Sequence, residues 1–187
     1  RVQASLRVGQ LYALSGDELE YATLTDCIVH GSSPSYDDNE GILITTDAAE
    51  EITIKLMTSD IADACDVLRS SWEWSEGADG FVSVEVSPLV AHETDATVAE
   101  AREWVKRVDR PNLLVKVPAT AAGVDPIRRL TAEGISVNIT LIFSLPRYAQ
   151  VMEAYQKGLA EYAESGGKLK AINSVASFFV SRVDTEV

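Results

Sequence analysis

From about residue 25 to its end the chain alternates short β-branched runs with helical patterns, and this alternation constrains the fold more than any other feature. Strands separated by helices form βαβ units, whose strands run parallel in one sheet. The strand signals are Cys27-Ile-Val-His30, Phe81-Val-Ser-Val-Glu-Val86, Leu113 to Val117, Ser136-Val-Asn-Ile-Thr-Leu-Ile-Phe143 and Leu169 to Val175. Ser59 is placed to cap a helix with Ile61, Cys65 and Leu68 at helical spacing. Thr94 or Asp95 opens another, with Val98, Ala101, Val105 and Val108 on one face and Arg110-Pro111 at its end. A short helix spans Pro126 to Glu133 and stops at Gly134. Ser144 caps a long helix that has Pro146 in its first turn and Tyr148, Val151, Met152, Tyr155, Leu159 and Tyr162 along one side, closed by Gly166-Gly167.

Two architectures fit this order: an open doubly wound sheet and a (β/α)8 barrel. The polar residues favour the barrel. Glu85, Lys116, Asn138 with Thr140, and Ser174 with Ser177 fall on four successive strands, at or near their C-terminal halves, where a barrel gathers its site. A doubly wound sheet would carry a Gly-rich phosphate loop after its first strand, and none is present. The 187 residues are read as a single barrel domain, with no repeat or linker. A barrel takes about 250 residues, so the last one or two βα units are expected to be absent from this chain. The first residue is Arg1 rather than methionine, and the sequence alone does not show what precedes it.

A net charge of −13 leaves no basic stripe for nucleic acid, although one or two placed cations suffice for a phosphorylated small molecule. No apolar run approaches the ~20 residues of a membrane span. Cys27 and Cys65 have neither metal-ligand spacing nor the density of a disulfide scaffold and read as free thiols of a cytoplasmic protein. His30 and His92 have no recognisable partner, so no metal site is expected, and Trp72, Trp74 and Trp104 read as packing or helix-face residues. Self-association is left open.

Lys116 is the chemical centre of the chain. Strand alternation sends Leu114, Lys116 and Pro118 to one face and Leu113, Val115 and Val117 to the other. Parallel strands are covered on both faces, so desolvation should favour the free amine, as in a Schiff-base lysine; the structural alternative is a lysine snorkelling from a strand end. Such a lysine needs a proton carrier within reach, and Glu85, one strand earlier, fits; otherwise it is a structural partner for a basic residue. Asn138 and Thr140 share a strand face, suited to substrate hydroxyls and a water, or simply to backbone hydrogen bonds. Ser177 and Arg182 have the makings of half a phosphate clamp, with a solvated arginine as the alternative.

Val115-Lys-Val-Pro-Ala-Thr120, Gly134-Ile-Ser-Val-Asn-Ile-Thr-Leu-Ile-Phe-Ser144, Arg147-Tyr148 to Gly158-Leu159, Val82-Ser-Val-Glu-Val-Ser-Pro88 and Ser177-Phe-Phe-Val-Ser-Arg182 together closely resemble transaldolases, especially the longer actinobacterial type. The resemblance is strong from about residue 58 onward and weak before it. It implies a (β/α)8 barrel that moves a dihydroxyacetone unit between phosphorylated sugars without a cofactor. Lys116 then corresponds to the Schiff-base lysine, with Glu85 and Thr140 handling the catalytic water. Asn138 binds hydroxyls of the three-carbon unit, Phe179 shapes the pocket, and Ser177 with Arg182 contacts substrate or phosphate.

The early motifs depart from the family. Transaldolases carry an aspartate at the end of the first strand that helps break and form the carbon–carbon bond, whereas Leu6-Arg-Val-Gly-Gln-Leu11 offers Gly9 and no acid. Gly31-Ser32-Ser33-Pro34 stands where the family has Thr-Ser-Asn-Pro. Three functions follow: a transferase, including a diverged one that builds an unusual sugar in secondary metabolism; an aldolase without obligatory transfer; and an inactive homologue that binds a sugar phosphate or a protein.

Overall fold

The computed structural model describes residues 13–14, 42–43 and 46–185. The chain divides into two units, Arg1–Ser59 and Asp60–Val187. In the first, β1 (Ala13–Leu14) pairs antiparallel with β2 (Ile42–Leu43), Ala13 opposite Leu43 and Leu14 opposite Ile42. Cys27–His30, the Gly9 stretch and the Gly31–Pro34 turn lie outside the described residues. Helix α1 (Thr46–Trp74) contributes residues to both units. It passes uninterrupted through Ser59, which was expected to cap it, because no glycine or proline stands between Thr46 and Trp74 to break the ladder.

The second unit continues with β3 (Val82–Glu85), α2 (Thr94–Val108), β4 (Leu113–Pro118), α3 (Val124–Ala132), β5 (Val137–Thr140), α4 (Leu145–Glu164), β6 (Ser174–Ala176) and α5 (Val180–Asp184). β3 to β6 form one parallel sheet in the consecutive order β3-β4-β5-β6. Crossovers between parallel strands are right-handed, so steps always taken in one direction put α2, α3 and α4 on one face. A doubly wound sheet reverses its order; this one does not, and it has the progression of a barrel wall. The core lies between that helix layer and the outward side of the sheet. Val84, Val115, Val117, Val137 and Ile139 are buried there, with Val98, Ala101, Trp104 and Val108 of α2 and Ile127 and Leu130 of α3.

Local chemistry sets the ends of these elements. Asp109 closes α2 in the left-handed region (φ 49°). Ser144 caps α4 by accepting from the Arg147 amide at 3.3 Å. β5 ends at Thr140 rather than running to Phe143, because Leu141 turns left-handed (φ 59°) and takes the chain out of the sheet. The run Leu169 to Val175 is likewise not one strand: a 3-10 turn occupies Leu169–Ala171, and β6 starts only at Ser174.

The buried stripe of α4 is Val151, Ala154 and Gly158, while Tyr148 and Met152 of the expected face are exposed. Small residues win because α3 lies close: a Cβ at Gly158 would sit 2.5 Å from the Arg128 carbonyl and 2.7 Å from Thr131 Cβ. Asn112, fully buried, ties α1 to the sheet by donating from Nδ2 to the carbonyls of Cys65 and Gly80, both at 2.9 Å. Trp104 is buried, Trp72 is half-buried with Arg69 over its ring, and Trp74 lies in solvent.

Candidate active site

Register brings the site together. Glu85 of β3 pairs with Lys116 of β4, and Lys116 pairs with Asn138 of β5. In parallel strands, register partners point to the same side of the sheet, so a carboxylate, an amine and a carboxamide stand in a row across three strands. Lys116 Nζ lies 3.3 Å from Glu85 Oε2. Their side chains are 26% and 52% exposed, so the pair is partly solvated rather than sealed in the interior. Of the six residues of β4, Lys116 alone is not buried, which corrects the expectation of complete burial. A pair this accessible adds about 0–1 kcal/mol to stability, so folding does not account for its placement.

Thr140 follows two positions after Asn138 and pairs with Pro118. It is fully buried, and its hydroxyl has no hydrogen-bond partner. Buried polar atoms are almost always satisfied, which makes this orphan a position suited to a water or ligand oxygen. Asn138 donates from Nδ2 to Ser83 Oγ at 3.0 Å and accepts from Ser177 Oγ at 2.7 Å through Oδ1.

Ser177 and Arg182, read from sequence as half of a phosphate clamp, each have a partner within the chain. Ser177 spends its proton on Asn138, and the Arg182 guanidinium sits 4.2 Å from the Phe179 ring centroid. Phe179 in turn stacks on Phe143, with centroids 6.1 Å apart. Beside them a cavity of about 420 Å³ opens at the C-terminal ends of β5 and β6, lined by Ile142, Phe143, Tyr148, Ala176, Ser177 and Phe178. A larger cavity, about 560 Å³, lies between α3 and α4 and touches none of the candidate residues. Two participants were missed from sequence. Ser83 was findable, since it precedes Glu85 by two on the same strand face; Phe143, read as strand, carried no signal.

Among the described residues no group of His, Cys, Asp and Glu is arranged to hold a metal. No described helix is long and apolar enough to cross a membrane. His92 is exposed, and His30 lies outside the described residues.

Comparison with known proteins gives the family of the chain. Residues 23–187 match the model of the Transaldolase/Fructose-6-phosphate aldolase family. The chain belongs to this family. Similar proteins include the "Transaldolase" of Mycobacterium ulcerans, 54% identical over 153 residues, which is 81% of this chain and 41% of that protein. The "Transaldolase" of Mycobacterium tuberculosis is 52% identical over 154 residues, 82% of this chain and 41% of its own length. The chain thus spans about two-fifths of the length of the curated relatives it matches. The transaldolase family fold is a (β/α)8 barrel, and β3 to β6 with their intervening helices are consecutive βα units of it.

Proposed function

We propose that this chain carries the Schiff-base centre of an enzyme that transfers a dihydroxyacetone unit from a ketose phosphate to an aldose phosphate, in the cytoplasm and without a cofactor. The observation that carries the reading is the row Glu85–Lys116–Asn138 in register, with Nζ 3.3 Å from the carboxylate.

Lys116 Nζ adds to the ketone carbon and gives up a proton, forming a carbinolamine; loss of water leaves an iminium. The bond joining the three-carbon unit to the rest of the sugar then breaks. Its electrons move into the iminium to give an enamine, while the departing fragment passes its hydroxyl proton to water and leaves as an aldehyde. The enamine attacks the acceptor aldehyde, and water returns to free the lysine. Glu85 is placed to take and return protons at nitrogen. The unpartnered Thr140 hydroxyl supports a role in holding the water, and Asn138 offers the carboxamide for hydroxyls of the three-carbon unit. Ser177 reaches substrate through or beside Asn138, Phe179 shapes the pocket by its stacking on the cavity-lining Phe143, and Arg182 supplies a cation for phosphate.

Borohydride trapping of the complete protein with fructose 6-phosphate, followed by intact mass and peptide mapping, tests this. A three-carbon adduct on Lys116, lost in Lys116→Ala, is expected. Free dihydroxyacetone without an acceptor would point to the aldolase function. No adduct with any phosphorylated ketose would leave the inactive binding homologue.

A further inference from the structure

The carboxamide of Asn138 is held at both ends. Ser177 donates to Oδ1 at 2.7 Å, and Nδ2 donates to Ser83 Oγ at 3.0 Å. The second contact is the unusual one. Ser83 belongs to β3 and Asn138 to β5, with β4 between them, and Ser83 sits level with Leu114 while Asn138 sits level with Lys116. In a flat sheet, two strand spacings would hold the backbones about 10 Å apart with side chains standing parallel. A curved barrel wall instead tips alternate strands toward each other, so that their inward residues share a layer.

The bond contributes little to folding. Ser83 is exposed and Asn138 is half-buried, so solvent could take the place of either partner. Its effect is directional. A carboxamide has two N–H donors and two acceptor lone pairs; one of each is used, which fixes the plane of the group and leaves one N–H and one lone pair presented beside Lys116.

We infer that Ser83 is a positioning residue that pins the Asn138 carboxamide in the orientation needed to receive hydroxyl groups of the ketose donor. This rests on the proposed role of Asn138. Ser83 acts in this proposal only through Asn138.

The test measures donor and acceptor kinetics of Ser83→Ala and Ser83→Thr in the complete protein, alone and in an Asn138→Ala background. Ser83→Ala should lower kcat/KM for the ketose about three- to tenfold, the effect of one hydrogen bond, with the acceptor KM unmoved. Ser83→Thr, which keeps the hydroxyl, should restore it. In the Asn138→Ala background, Ser83→Ala should have no further effect; additive losses would overturn the inference. A second readout does not depend on turnover. Solvent exchange of the Asn138 side-chain amide protons, followed by NMR, should quicken about three- to tenfold in Ser83→Ala. Unchanged exchange overturns the pinning even if the protein is active, whereas quickened exchange without a Lys116 adduct sustains the pinning and refutes the proposed chemistry.

Discussion

Gly158→Ala sets two opposing effects against each other within one helix. In α4 the exchange should help: alanine is favoured over glycine inside a helix by about 1 kcal/mol. The site is buried, however, and the new Cβ would meet the Arg128 carbonyl at 2.5 Å and Thr131 Cβ at 2.7 Å. Ordinary contact begins near 3.4 Å, so relief needs a shift of about 0.9 Å, the difference between the two distances. The carbonyl is part of the α3 backbone and cannot rotate away, so the helices themselves must separate along the Val151–Ala154–Gly158 stripe. Overpacking of this kind costs typically about 1–3 kcal/mol, and a clash with backbone belongs at the upper end. The net expectation is a loss of about 1–2 kcal/mol, or a Tm lowered by roughly 2–8 °C. Urea and thermal unfolding measure it, and the exposed Ala160→Gly change on the same helix calibrates the propensity term. If Gly158→Ala stabilises the protein by as much as Ala160→Gly destabilises it, the close helix approach is wrong.

Two further outcomes follow from groups outside the site. Asn112→Ala should lower stability by about 2–3 kcal/mol, since two buried hydrogen bonds to the Cys65 and Gly80 carbonyls vanish together; an unchanged urea midpoint would remove Asn112 as the tie between α1 and the sheet. The Arg102 guanidinium, bonded to Glu133 at 2.7 Å, holds that carboxyl below its ordinary value of 4.5. A depressed folded-state pKa means stability present above the unfolded value and lost as pH falls through the folded one. Arg102→Gln should therefore flatten the acid limb of the stability–pH profile below about pH 4.5, and superimposable acid limbs would contradict it.

Much of the architecture was legible because hydrophobic period and end chemistry agree. β3, α2 and β4 follow their sequence signals within a residue or two, and the consecutive sheet order completes the barrel reading. What was illegible depended on neighbours or on one backbone angle. Nothing in the run to Phe143 marks Leu141 as left-handed. The inner face of α4 was hidden because large apolar side chains advertise burial, while close helix packing selects small ones. In the site, strand alternation put Lys116 on a face with Leu114 and Pro118, but the register that sets it beside Glu85 and Asn138 depends on the neighbouring strands. Spacing could not say that Ser177 would turn to Asn138 and Arg182 to Phe179.

The row Glu85–Lys116–Asn138 is drawn from three βα units and exists only while β3, β4 and β5 are in register. A slip of β3 by one residue would bring Val84 or Val86 opposite Lys116 and turn the carboxylate toward the helices. No fragment shorter than the span from Val82 to Thr140 can display the row. The environment of this one amine thus reports on three strand pairings at once, and its labelling during refolding would time the moment at which the sheet zips into register.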